Sequence, residues 1–213
     1  MKRLIALCLV TALILSSTAC DRSVLTKEDM LDAAVKLVNY ELLEALEEDP
    51  IRAIDLYAGN LYVYSECVKR IHTDHVVLDY PAGNGLEVHA YLPQEELNAL
   101  HTGTVITIVG SADNILYDKD RLVYTVEMKT AYLVRTTSVV SGKITQKGAK
   151  NGLPFCRIGG TAVFLPRDVL DTLQEGDTIT VEGTLTHDDT PFSGSPEAAP
   201  PEWDMKDAVL VEE

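Results

Sequence analysis

A stretch of nineteen residues occurs twice in this chain without a gap. Leu92-Pro93-Gln94-Glu95-Glu96-Leu97-Asn98-Ala99-Leu100-His101-Thr102-Gly103-Thr104-Val105-Ile106-Thr107-Ile108-Val109-Gly110 aligns with Leu165 to Gly183 at a constant offset of 73, and eight of the nineteen positions are identical. Two further matches bracket it in the same order. Tyr64–Val68 lies against Val140–Ile144 at an offset of 76, and Met128–Val134 against Met205–Val211 at 77. Offsets drift only where turns fall, as expected when loops absorb insertions and strands do not. A unit written twice must close its own core twice, so the 213 residues divide into repeats over 51–135 and 136–213 with almost no linker between them.

Within one copy the pattern reads β-β-β-α-β-β. In the first, strands are predicted over about 61–72, 75–80, 86–92, 104–112 and 121–134, with a helix over about 94–101. Asp74, Gly83-Asn84-Gly85 and Asp118-Lys119-Asp120 mark turns. The second copy runs 137–147, 153–158, 161–165, helix 167–174, 177–186 and 203–211. Five strands with a helix between the third and fourth is the order of the OB-fold, a partly open Greek-key barrel. Leu97/Leu100 and Leu170/Leu173 would plug each barrel end, and Gly103 and Gly176 suit the left-handed residue that ends a helix. The expected class is mainly β: two tandem five-stranded OB barrels.

The residues then become more specific. Ala53…Tyr57-Ala58-Gly59-Asn60 precedes the first strand, Val88-x-Ala90-x-Leu92 lies in the third, Leu100-x-x-Gly103-x-x-Ile106-x-Ile108-x-Gly110 in the fourth, and Met128-x-x-Ala131-x-Leu133 at the end. This layout resembles the bacterial tRNA-anti-like OB family over about 51–134, and over 137–211 less fully, because the Ala…Tyr lead-in is missing from the second copy. The resemblance implies the fold and the exported or lipoprotein setting in which such chains often occur. It does not imply RNA binding.

Ahead of the repeats, Lys2 and Arg3, an apolar run from Leu4 to Leu15 and Ser17-Thr18-Ala19-Cys20 read as a secretory leader over 1–19. Its end resembles a lipobox, which implies acylation of Cys20 and a membrane held through that lipid; Ser17 stands where an aliphatic residue is usual, and cleavage without lipidation is the other reading. Residues 20–50 would be the tether and one amphipathic N-terminal helix. Thr26 and Asp29 make a capping box, Met30, Ala34, Leu37, Val38, Leu42 and Leu46 follow at helical spacing, and Asp49-Pro50 stops the helix. Its stripe would cover the end of the first barrel, or recruit a second protein.

The formal net charge is −15, and loss of Lys2 and Arg3 makes the exported chain more acidic still. Nucleic-acid affinity rests largely on Lys and Arg neutralising phosphates, so no nucleic-acid partner is expected; a protein or cell-envelope component is. Cys8 lies in the leader and Cys20 at the lipid position, leaving Cys67 and Cys156 in different repeats. They would be bridged or separately buried thiols.

OB barrels usually bind on the outer face of strands two and three and in the adjoining loops. Strand alternation turns Leu86, Val88, Ala90 and Leu92 inward and Glu87, His89 and Tyr91 outward, and the offset of 73 places Phe164 where Tyr91 is. Tyr91, Phe164 and His89 are therefore candidate ligand or partner residues, or they pack between barrels. Phe192 and Trp203 flank a Pro- and Ser-rich segment over 188–202, at the loop position OB domains use to grip ligands; Trp203 could instead close the core. His72-Thr73-Asp74-His75 lacks a partner ligand pair for zinc, and Asp113, Asp118 and Asp120 lack calcium-loop spacing. No metal, cofactor or catalytic motif is read here. The function classes are a tethered non-catalytic binding or scaffolding module, a nucleic-acid-binding OB protein, and a hydrolase assembled from dispersed residues.

Overall fold

The computed structural model describes residues 25–79, 85–187 and 203–211. The leader, Cys20, Phe192 and the Pro- and Ser-rich segment lie outside the described residues. No helix among the described residues is long and apolar enough to cross a membrane.

The N-terminal region departs from the single helix expected to about Glu48. Helix α1, Lys27–Ala33, carries the capping box, with Asp29 N–H donating to Thr26 Oγ1 and Thr26 N–H to Asp29 Oδ2. The chain then extends: β1, Val35–Lys36, pairs in parallel with Tyr62–Val63, and Leu37 N–H donates to Val63 O at 3.0 Å. The sheet edge satisfies backbone groups there while burying Leu37, and Val35 and Val38 favour extended backbone. A second helix α2, Asn39–Glu48, follows. Asp49-Pro50 ends it as predicted, but also starts α3, Pro50–Tyr57, because Asp49 accepts from Arg52 N–H and proline fits the first turn. Leu42, Leu46 and Ala53 join the core of the adjoining sheet.

That sheet comprises β2 Leu61–Ile71, β3 Val76–Leu78, β4 Leu86–Ala90, β5 Val105–Ser111, β6 Asn114–Asp118, β7 Val123–Met128 and β8 Ala131–Arg135, with helix α4, Gln94–Asn98, between β4 and β5. Its order is β6-β7-β4-β3-β2-β5-β8. The second sheet comprises β9 Ser138–Lys150, β10 Leu153–Ile158, β11 Thr161–Val163, β12 Thr178–His187 and β13 Trp203–Leu210, with α5, Arg167–Thr172, between β11 and β12. It closes as β10-β11-β13-β12-β9. The protein is thus mainly β with two sheets, one a ring of five strands.

The repeat positions occupy matching places. Gly103 N–H donates to Val68 O and Val68 N–H to Thr104 O; Gly176 N–H donates to Ile144 O and Ile144 N–H to Asp177 O. Tyr91 N–H reaches Met128 O as Phe164 N–H reaches Met205 O. Both glycines have left-handed backbone, φ 82° and 98°, but they lie in the turns into β5 and β12 and not at the helix ends where they were expected, since the helices stop at Asn98 and Thr172 with Ala99 and Leu173 as caps. Leu97 and Leu170, Met128 and Met205, Ala131 and Ala208, and Ile108 and Val181 are buried pairwise in the two cores.

The strands of the first repeat depart from the expected set in two places. The one expected over 121–134 divides into β7 and β8, and the one over 104–112 is followed, after Ala112-Asp113, by β6. The kinks meet: Asp113 N–H donates to Glu127 O at 2.8 Å and Lys129 N–H to Asp113 Oδ2 at 2.7 Å. Close approach drives the bend, since a Cβ on Gly110 would lie 2.9 Å from Ala131 Cβ and 3.0 Å from Thr130 O. The two sheets touch where Thr104 bridges Thr186 and His187 N–H donates to Gly103 O at 2.9 Å.

Candidate functional site

Strand register assigns the faces of the first sheet. Val68, Leu78, Val88, Val126 and Ile115 form one row across β2-β3-β4-β7-β6, all in the core. The next row, Arg70, Val77, His89, Glu127 and Asn114, faces the other way. Glu87, His89 and Tyr91 therefore point outward, as alternation predicted.

What alternation could not reveal is the fate of Glu87. Although outward, it is only 1% exposed, and Asp79 beside it 3%. Three cations cover them. Lys69 Nζ bonds Asp79 Oδ2 and lies 3.1 Å from Glu87 Oε1; Arg121 Nη2 donates to Glu87 Oε1 at 2.6 Å; Arg70 Nη2 is 3.3 Å from both Glu87 oxygens. Burial alone would push the Glu87 carboxyl up, but the hydrogen bonds and charges of Arg121 and Lys69 outweigh it and hold the group down at about 2. The cations themselves remain 38–44% exposed. The solvent face of this network is positive while its negative charges lie beneath.

Rings adjoin it. His89 Nε2 lies 3.5 Å from Glu87 Oε2. The His75 ring stacks on His72 at 4.4 Å, on His89 at 5.2 Å and on Tyr91 at 5.0 Å, and His75 Nδ1 lies 2.8 Å from Asp74 Oδ1. The β2–β3 turn thus brings His72 and His75 onto β4, and the β6–β7 turn brings Arg121 over Glu87 from the other side. The imidazole planes are face to face, within 14° and 25°, an arrangement for stacking rather than for aiming nitrogens at one ion. Burial lowers the His89 pKa below the ordinary 6.5, the Glu87 bond raises it, and the charges of His75 and Arg70 lower it further. A base depressed in the folded state contributes stability that is present above pH 6.5 and lost as pH falls through the folded value. An NMR titration of the His89 ring should accordingly show a midpoint below 6.5.

In the second sheet the same register places Gln146, Arg157, Ala162, Asp204 and Thr186 in the corresponding outer row. Phe155 stands for His75, Gly159 and Gly160 for Asp79 and Glu87, Ala162 for His89 and Phe164 for Tyr91. The ring pair persists, Phe155 against Phe164 at 6.1 Å; the charged network does not. Phe164, half-buried, instead lines an apolar groove of about 610 Å³ with Leu153, Pro154, Pro166 and Val209.

Trp203 is not on that face. It pairs with Thr161 and His187 in the inward row and meets the His187 ring edge-on at 5.1 Å. A cleft of about 410 Å³ between the sheets is lined by Lys69, Asp79, Gly103, Thr186 and His187. Cys67 and Cys156 are buried thiols, one in each sheet. Of the expected candidates, Tyr91 and His89 come together, Phe164 occupies the equivalent place on the other sheet, and Trp203 lies apart. Lys69, Arg70, Asp79 and Arg121 were not anticipated; the only sequence signal was Glu87 at an outward position between hydrophobic neighbours. Compared with known proteins, the chain matches no family model and no curated relative.

Proposed function

We propose that this chain is a membrane-tethered, non-catalytic binding module made of two OB-type barrels arising by duplication, which engages a component of the cell envelope through the outer faces of its second and third strands. The division is a leader over 1–19, a lipidated tether and helices over 20–50, and barrels over 51–135 and 136–213. The observation that carries the reading is the ring pair at register-equivalent positions of both units, His75–Tyr91 and Phe155–Phe164. Phe155 itself is buried, so in the second unit it is half-buried Phe164 that would meet a ligand, and paired aromatic rings are enriched where one surface grips another. The path β7-β4-β3-β2-β5-β8, in which β7 and β8 are the two halves of one repeat strand, parallels β13-β11-β10-β9-β12 returning to β13, which supports an OB barrel in each copy. The acidity of the chain argues against nucleic acid.

Two measurements test this. Cys20→Ala should move the protein from the membrane to the soluble fraction, since the lipid supplies the anchor; unchanged fractionation removes the tether. A photo-crosslinking residue at position 91 or 164 should capture an envelope component in intact cells, and one at exposed Glu28 should not. Absence of adducts from both faces, or equal labelling from Glu28, removes the binding surfaces.

A further inference from the structure

We infer that the outer face of the first sheet binds a saccharide ring carrying one acidic group, a phosphate or a carboxylate, with the ring on the His75–Tyr91 array and the acid against Arg70 and Arg121. The inference rests on the binding-module reading and names the ligand class of one face. Glu87 joins the two halves of the site. One of its oxygens takes Arg121, Lys69 and Arg70, and the other takes Arg70 and His89, which begins the stack through His75 to Tyr91. Cation heads and ring planes are thereby fixed relative to each other before any ligand arrives, which spares the ordering cost of long side chains.

The exposed charges set the sign of the ligand. Three cations stand over two buried carboxylates, Asp79 and Glu87, so the part of this network that reaches solvent is cationic, with Asp118 close enough for its charge to act on Arg121. Asp74, bonded to His75, bounds the far end of the rings. The exposed guanidinium heads can take one small acid group, whereas a polyanion is repelled by Asp74, Asp118 and the rest of a chain of net charge −15. Guanidinium groups suit both phosphate and carboxylate because their paired N–H donors match either acid. The second sheet is an internal control. With Gln146, Gly159, Gly160, Ala162, Phe155 and Phe164 at the matching positions, it keeps the rings and lacks the carboxylate that gathers Arg70 and Arg121, and its Lys150 is paired with Asp204.

The test is calorimetric titration of the purified full-length chain in neutral detergent with glucose 1-phosphate, glucuronate, inorganic phosphate and glucose. Glucose 1-phosphate or glucuronate should bind at least tenfold more tightly than both glucose and inorganic phosphate, and which acid is preferred identifies the source. Binding should weaken about tenfold in Arg70→Gln, Arg121→Gln and Tyr91→Ala, and should be unchanged in Glu28→Ala, an exposed position on α1. Because Arg121→Gln also disturbs Glu87, a measurement on the unaltered protein accompanies it: raising sodium chloride from 20 to 500 mM should weaken binding of the acidic sugar. Binding of glucose as tight as that of its phosphate, no salt dependence, or no binding of any probe overturns the inference. Equal binding of glucose that Tyr91→Ala abolishes would leave the face a ligand site and remove only the acid; adducts at position 91 in cells without binding of any probe would do the same for the ligand class.

Discussion

Gly183→Ala is expected to destabilise the protein by about 3 kcal/mol, seen as a fall of about 6–12 °C in the midpoint of thermal unfolding. A Cβ at Gly183 would stand 2.7 Å from Lys206 O, 2.9 Å from Met205 Cγ and 3.0 Å from Ala208 Cα. Two of the three are backbone atoms, so no rotamer change relieves the clash. The register of β12 on β13 shifts at this residue, between Glu182 and Thr184, and the adjacent Asp207 has φ 51°. The glycine lets the last strand bend across its neighbour and complete the ring. Gly110 makes the same approach to Thr130 and Ala131, and Gly110→Ala should cost about 2 kcal/mol, less because its nearest contact is a methyl group.

The second large effect is acid-dependent. The Glu87 carboxyl is held at about 2 against an ordinary 4.5, which corresponds to about 3 kcal/mol of stability at neutral pH. A carboxylate depressed in the folded state contributes fully above the unfolded value, and that contribution is lost as pH falls from 4.5 through 2. Glu87→Gln should therefore be less stable than the wild type by about 2–3 kcal/mol at pH 7, and the gap should close toward pH 2. Chemical denaturation at a series of pH values measures it. A constant gap would mean that the glutamine loses packing or hydrogen bonds rather than the ion pairs with Lys69, Arg70 and Arg121.

The legible parts of this fold are the local ones. Leu92-Pro93 and Leu165-Pro166 announce short helices, Gly103 and Gly176 mark the left-handed turns into the next strands, and the alternation of Leu86, Val88, Ala90 and Leu92 gives the buried face of β4. What escaped depends on contacts distant in sequence. The break after Ala33 arises because β2, some 27 residues on, offers an edge to Val35–Lys36, and helical spacing of Leu37, Leu42 and Leu46 persists across the break. Strand β6 was hidden by a two-residue kink at Ala112-Asp113. The proposed binding face was half visible: Tyr91 and His89 follow from alternation, but the burial of Glu87 needs Lys69 and Arg70 from β2 and Arg121 from a turn 34 residues away. Register between strands decides such meetings, and a single strand does not encode it.

Amide hydrogen exchange at matched positions of the two units is the most direct measurement. A recipe used twice requires slow exchange at Val68 and Ile144, Tyr91 and Phe164, Gly103 and Gly176, since each donates within its own sheet. Exchange at the unprotected rate in one member of any pair, with its counterpart slow, would contradict two equivalent barrels.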